Sequence, residues 1–208
     1  MIANTINEFL ELLDNKELSL IHILKLREKL KKPFKRHPLG FYACTLFEEH
    51  SRKIRLHYWD LSNSNELQSP ELMIHDHIFD FKSWILSGSI ENIEYEIDEK
   101  GQVYHLYSTF YEKNCSILKK TTESIKILEK NVQVYENGQS YNMKAGVLHK
   151  TRTIQDKTFT ILYTEDTERL VPRVLARDSA EKKIVYERKE ITEQEIKEKL
   201  YSIYPVSI

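Results

Sequence analysis

The sequence lacks three features that would point to common classes of protein: an excess of one charge, paired cysteines and a long hydrophobic run. Its 31 basic and 32 acidic residues leave a net charge of −1, so no overall field would attract nucleic acid or an anionic membrane. The only cysteines are Cys44 and Cys115, without a CxxC pair, which argues against a disulfide framework or a thiolate zinc site and favours a reducing compartment. Without a run of about eighteen apolar residues or a signal-like N-terminus, we expect a cytoplasmic protein that does not span a membrane.

Helical patterns occur at both ends of the chain. From Ile6 onward, apolar residues recur at spacings of three and four, which is typical of an amphipathic helix, and a second helical stretch continues as far as two prolines and a glycine. Near the other end, Thr192 and Glu195 have capping-box spacing ahead of apolar residues at helical spacing. We therefore predict a helical segment over 1–36 and a C-terminal helix over 192–204.

Between these helices the sequence changes to short β-rich runs, among them GFYACTLF, KIRLHYW, SWILSGSIENIEYEI and FTILYT. The intervals carry turn residues, such as DEKG and YENGQS, and none resembles the crossover helix that parallel strands need. An all-β antiparallel sandwich or barrel over 40–190 is the predicted architecture. Because 208 residues with 40% hydrophobic content suffice for one well-covered core, we expect a single domain over 1–208.

Two histidines open the stretch HDHIFDFKSWILSG. On a strand, His75 and His77 would share one face because side chains alternate, and Asp76 between them would face outward as a surface or supporting polar group. Imidazole is a common ligand for zinc, iron, copper and nickel, but two imidazoles make only half a site. Among the remaining histidines, His149 in GQSYNMKAGVLHKT has the most sharply defined context.

These stretches resemble the two motifs of metal-binding cupins, G-x5-H-x-H-x3-E-x6-G and G-x5-P-x-G-x2-H-x3-N. Six residues keep the spacing of the motifs: His75, His77, Gly88, Gly138, Gly146 and His149. The resemblance implies a double-stranded β-helix, a jelly-roll-like barrel, that holds a metal through its three histidines. The long segment between the two motifs leaves room for an added hairpin.

The match departs from the cupin motifs at four positions, where the consensus has glycine, glutamate, proline and asparagine. Those positions hold Ser69, Phe81, Lys144 and Thr153. Because phenylalanine cannot bind a metal, either the site has three histidines, or Asp80 reaches in as a fourth ligand through a local bulge. Strand alternation favours three histidines, since Asp80 would lie on the face opposite His77.

A cupin site of three histidines resembles the thiol dioxygenases of the cysteine dioxygenase type. That resemblance implies an iron(II) enzyme that uses O2 to oxidise a small anionic substrate, with Tyr163 close to the metal. The arginine that binds the substrate carboxylate in that family would fall near Cys44. The serine and histidine that orient the tyrosine would fall on Phe159 and Ile161.

Other interpretations remain open at this point. With zinc or nickel, the same histidines would support redox-neutral chemistry, such as isomerisation or hydrolysis, and a third reading is a cupin that only binds a small molecule. Arg55 or Arg152 could hold a substrate carboxylate, because guanidinium groups suit that task. The basic run KLREKLKKPFKRH is interpreted as the solvated end of a helix. We therefore expect a small-molecule substrate, no nucleic-acid or membrane partner, and as one option a homodimer.

Overall fold

Two six-stranded antiparallel sheets dominate the computed structural model, which describes residues 3–61, 72–167, 171–177 and 181–201. In spatial order the first sheet contains β1 (Lys35–Arg36), β2 (Phe41–Glu49), β3 (Arg52–Asp60), β10 (Lys157–Asp166), β5 (Phe79–Ser87) and β8 (Ser140–Met143). The second contains β11 (Arg173–Ala176), β4 (Ile74–His75), β9 (Leu148–Thr153), β6 (Ser89–Glu112), β7 (Cys115–Glu136) and β12 (Lys183–Glu187). From β4 to β6, and again from β8 to β11, successive strands alternate between the sheets, which is the arrangement of a jelly-roll barrel. The prediction of an all-β antiparallel barrel is confirmed.

The segment between the two cupin-like motifs forms one long hairpin. Its strands β6 and β7 span 24 and 22 residues, so one extended hairpin takes up the length of this segment. The prediction of a turn at DEKG is wrong, because β6 continues through it as a bulge: Ile97 and Gln102 both pair with Ile127. A Cβ atom at Gly101 would lie 2.4 Å from the backbone of Ile127, so this close approach requires a glycine.

Three helices flank the barrel: α1 (Ile6–Asp14), α2 (Leu20–Lys29) and α3 (Glu193–Tyr201). The capping box of α3 is present, since the Thr192 backbone N–H donates to Glu195 Oε2 at 2.7 Å and the Glu195 N–H donates to Thr192 Oγ1 at 3.1 Å. The end of the predicted C-terminal helix, 202–204, lies outside the described residues.

The last helix of the predicted helical segment 1–36, α2, ends at Lys29, seven residues earlier than expected. Lys35 and Arg36 form β1, paired with β2, because Pro33 ends the helical periodicity before them. Within the described part of the chain, no helix combines the length and the apolar character needed to cross a membrane.

Strand alternation gives the first sheet two different covered faces. One face packs against the helices and contributes residues such as Tyr42, Cys44, Leu56, Tyr58, Phe159 and Ile161 to the main apolar cluster. The residues between them face the interior of the barrel. On β3 these are Arg55, His57 and Trp59, which line the internal cavity. This division of faces decides which predicted residues can reach the candidate site.

Candidate metal centre

The three predicted histidines lie together inside the barrel. His75 on β4 is the direct antiparallel partner of His149 on β9, and His77 follows His75 by two residues. The ring centroids are 4.4 Å apart for His75 and His149, 4.7 Å for His75 and His77, and 5.1 Å for His77 and His149. One ring nitrogen from each residue lies within 4.8 Å of the others. The fold thus assembles a possible metal site from residues far apart in sequence.

Two of the imidazole rings are held by backbone carbonyl groups. His75 Nδ1 lies 2.9 Å from the Met73 carbonyl oxygen, and His149 Nδ1 lies 3.0 Å from the Val147 carbonyl oxygen. A carbonyl oxygen can only accept a hydrogen bond, so the proton of each neutral ring belongs on Nδ1. The lone pair on Nε2 is then left for a metal, which is the usual arrangement of histidine ligands.

Burial keeps the three rings neutral. His149 is 2% exposed and His75 is 8% exposed. Burial, together with the neighbouring His75, lowers the pKa of His149 to about 3, and burial also lowers the pKa of His75 and, further, that of His77. Near pH 7 all three side chains therefore carry the free lone pair that a metal ligand needs.

Phenylalanine side chains form the apolar wall beside the histidines. The His77 ring stacks on Phe79, with centroids 4.5 Å apart and planes 13° from parallel. Phe81, at the consensus glutamate position, lies 5.7 Å from the His77 ring and 6.0 Å from the His149 ring. Phe81 is 6% exposed and belongs to an apolar cluster. The structure therefore places an apolar side chain where the consensus cupin has a carboxylate ligand.

Asp80 is directed away from the histidines. Its Oδ2 accepts a hydrogen bond from Lys144 Nζ at 2.6 Å, and its Oδ1 accepts one from the Ala145 backbone N–H at 2.8 Å. The bond from Lys144 also lowers the pKa of Asp80. Asp80 thus holds the turn that precedes His149 and lies outside the histidine cluster, on the face that strand alternation predicts.

Asp76 is buried, so of the two expected roles, surface or supporting polar group, the structure shows the second. Its side chain has no exposed area, and β11, which pairs edge to edge with β4, brings Arg173 beside it. Asp76 accepts hydrogen bonds from the Arg173 backbone N–H at 2.6 Å and from Arg173 Nε at 2.7 Å. Arg173 Nη2 also donates to the Gly146 carbonyl at 3.3 Å. This ion pair ties the segment of His75 and His77 to the turn before His149.

The histidines line a cavity of about 650 Å³ between the two sheets. Its wall carries more fixed positive than negative charge: Arg55 and Arg188 project from opposite sides, and both are half-buried. Trp59 also lines the cavity, and its buried Nε1 makes no hydrogen bond within the described structure. A cavity of this size, with apolar walls and a few polar groups, is typical of small-molecule sites.

Tyr141 is a cavity residue that the sequence analysis missed. Its ring lies 5.8 Å from Phe81, edge to face, and the residue is 8% exposed. Burial raises the pKa of the phenol, while hydrogen bonds with Ser83 and Thr151 act in the opposite direction without cancelling the effect. The hydroxyl therefore stays protonated and can donate a hydrogen bond. Tyrosine is common in strands, so the sequence held no specific signal for Tyr141.

Two predicted site residues are not brought to the cluster, which corrects the sequence analysis. Tyr163 lies on the face of β10 that packs against the helix-side cluster, and its hydroxyl donates to Glu165 Oε2 at 3.0 Å. Arg152 lies on the outer face of β9, and its Nε donates to Glu91 Oε2 at 2.6 Å. Both follow from alternation, because on β9 it is His149 and Thr151 that face the cavity.

Comparison with known proteins gives only distant likenesses. No family model matches the chain, and no curated protein matches it. Among solved structures, an oxalate decarboxylase variant from Bacillus subtilis is 14% identical with a TM-score of 0.40, over 68% of this chain and 29% of that chain. Hydroxypropylphosphonic acid epoxidase from S. wedmorenis is 10% identical with a TM-score of 0.40, over 65% of this chain and 55% of that chain. A conserved protein of unknown function from Streptococcus pyogenes is 14% identical with a TM-score of 0.35, over 69% of this chain and 86% of that chain.

The chain thus spans less than a third of the length of the matched oxalate decarboxylase. At these TM-scores the likenesses carry no argument about activity. The fold and the site are defined by the strands and side chains themselves: a jelly-roll-like barrel with three neutral histidines at the wall of an internal cavity.

Proposed function

We propose that the protein is a metal-dependent cupin that binds iron(II) through His75, His77 and His149 and uses O2 to oxidise a small anionic substrate, as thiol dioxygenases do. The observation that carries this proposal is the orientation of the histidines. Two of the three rings have Nδ1 held by a backbone carbonyl, and one nitrogen of each ring converges on the same space.

The donor set fits a divalent metal ion. Three neutral imidazoles, two of them buried and one half-buried, are borderline ligands that suit iron, zinc, nickel and copper. Two of the rings are oriented by backbone carbonyls rather than by the metal. Bound iron(II) would supply open neighbouring positions at which a substrate donor and O2 could bind side by side.

The surrounding residues favour an anionic substrate and give the histidines an apolar wall. The three histidines contribute no negative charge, so an anionic donor group would balance the charge of the site. Arg55 adds a fixed positive charge to the cavity wall. Phe79 and Phe81 cover the histidines with apolar surface, and Tyr141 can donate a hydrogen bond from the neighbouring wall.

The test is elemental analysis of protein purified without chelators and without nickel-affinity resin. We expect about one iron per chain in the parent protein and none in His149→Ala, because two histidines are half of a typical site. His57→Ala is the matched control, since His57 lines the same cavity but lies outside the cluster. Full metal content in His149→Ala would show that these histidines are not the ligands.

The choice of iron and O2 needs a second measurement. Iron-loaded protein should consume O2 in an oxygen electrode when small thiol carboxylates are added, and His149→Ala should not. Zinc or nickel in the purified protein, or substrate conversion without O2, would instead support the redox-neutral cupin. The cytoplasmic location, the absence of nucleic-acid and membrane partners and the homodimer stay predictions.

A further inference from the structure

We propose that Arg55 and Arg188 form a binding site for a second anionic group of the substrate, a carboxylate or a phosphate. As a statement about the substrate, this rests on the proposed function. The substrate would then carry one anionic donor at the histidines and a second oxyanion at the two arginines.

Arg55 is positioned by aromatic contacts that lead directly to the histidines. It faces the cavity from β3, and its guanidinium carbon lies 5.2 Å from the centre of the Phe79 ring. The other end of this stack is His77, whose ring lies 4.5 Å from Phe79. Arg55 is therefore two ring contacts away from the cluster, a separation that a small molecule can span, with Phe79 as the apolar surface between the two ends.

Arg188 reaches the same cavity from the other side of the barrel. It follows β12, and its backbone N–H donates to the Asn114 carbonyl. Its Nε donates to Ser116 Oγ at 2.7 Å, and the guanidinium lies 5.1 Å from the centre of the Tyr111 ring. Arg188 also makes a hydrogen bond with the Tyr111 side chain. These contacts orient the group and leave its remaining terminal N–H donors for an oxyanion, which guanidinium binds with two parallel hydrogen bonds.

Neither guanidinium group forms an ion pair within the described part of the chain. Two acids also line the cavity: Glu48, whose carboxylate is paired with Lys53 at 2.7 Å, and Asp166, which is exposed and acts on Arg55 only through its charge. Burial lowers the pKa of Arg55, and the like charge of Arg188 acts in the same direction, although an arginine remains a cation in proteins. Two half-buried cations without a carboxylate partner are unfavourable, and a bound anion would offset that cost.

This site differs from the one implied by the thiol dioxygenases. The position of that family's carboxylate-binding arginine falls near Cys44, which is 1% exposed and packs among the helix-side residues. A side chain there cannot reach the cavity, because β2 alternates in the same way as β3. Arg55 and Arg188 therefore supply the positive charge from different strands, and the substrate should differ in length from cysteine.

The test is calorimetric titration of metal-free protein at low salt with two probes, glutarate and inorganic phosphate. We expect at least one probe to bind the parent protein, and the stronger probe identifies the oxyanion as a carboxylate or a phosphate. Arg55→Gln should weaken that binding by about tenfold or more, because a charge-assisted pair of hydrogen bonds is lost. Arg152→Gln is the matched control, since it removes the same charge from the outer face of the barrel.

Two further variants distinguish loss of the arginine site from loss of the fold and from failure of the proposed metal site. Arg55→Lys keeps the charge but loses the paired donors, so it should bind between the parent and Arg55→Gln and shows that the effect is not loss of fold. His149→Ala should keep the anion binding while losing metal, so the two proposals can fail independently. Absence of binding by both probes, or equal weakening in Arg152→Gln and Arg55→Gln, would overturn the arginine site.

Discussion

Replacement of Asp76 by alanine should destabilise the metal-free protein strongly, although the residue lies between two histidines rather than in the apolar core. The carboxylate has no exposed area and accepts two hydrogen bonds from Arg173. Removing one partner of a buried ion pair typically costs about 3–5 kcal/mol, because the other charge is left unpaired. The Arg173 side chain is 23% exposed, so water can solvate it in part. We therefore expect a loss near the lower limit, about 3 kcal/mol.

Urea denaturation followed by circular dichroism measures this loss in Asp76→Ala. The control is Asp80→Ala, which removes a carboxylate from the same segment. The partner of this carboxylate, Lys144, is exposed, so the effect on stability should be much smaller, because exposed ion pairs contribute little. If Asp76→Ala changes the free energy of unfolding by less than about 1 kcal/mol, as ordinary surface substitutions do, then Asp76 is not buried against Arg173 and the tie between the two histidine segments does not exist.

Three further predictions concern single positions. Burial, with smaller contributions from neighbouring arginines, lowers the pKa of His57 to about 3. Below a pH of about 6.5, the ordinary pKa of histidine, His57 therefore takes up a proton in the unfolded chain but not in the folded one. Through this group the free energy of unfolding of the metal-free protein should fall by about 2 kcal/mol between pH 8 and pH 5. Urea titrations at several pH values should show a weaker loss in His57→Phe and an unchanged loss in His50→Asn, whose histidine is exposed. Phe81→Glu should destabilise the metal-free protein, because it buries a carboxylate, and should tighten metal binding measured by competition with a chelator; looser binding would place this side chain away from the metal. Gly88→Ala should lower the melting temperature far more than Gly138→Ala. Both glycines have positive φ, but of the two only Gly88 has a carbonyl oxygen of β10 at 2.7 Å from the position of a Cβ atom. Equal losses would mean that the close approach at Gly88 is relaxed at no cost.

The histidine cluster could be predicted from sequence because its information is local. His75 and His77 share a face by alternation, and the spacing around His149 repeats a known motif. Strand alternation also places Phe81, and not Asp80, on the face of β5 that is directed at the histidines. Each of these inferences needs only the position of a residue along its own strand, and each agrees with the contacts observed.

The arginines could not be assigned in the same way, because their roles depend on pairing between distant strands. Arg173 meets Asp76 only because β11 pairs with β4, and Arg188 reaches the cavity only because β12 pairs with β7. No pattern within either short strand specifies its partner. Strand alternation places Asp76 on the face opposite the histidines, but it does not show that β11 pairs beside β4 and brings Arg173 to this carboxylate.

The misplacement of Tyr163 is different, because the sequence did contain the signal that corrects it. The resemblance to thiol dioxygenases puts that family's serine, histidine and tyrosine on Phe159, Ile161 and Tyr163, which alternate onto one face of β10. Phe159 and Ile161 are apolar and fully buried against the helices, so this face belongs to the core and Tyr163 must lie with them. The opposite face of β10, which carries Thr160 and Leu162, is the one that lines the cavity. A tyrosine that assists at the histidines must therefore come from another strand, and Tyr141 on β8 is the buried tyrosine that the structure places at the cavity wall.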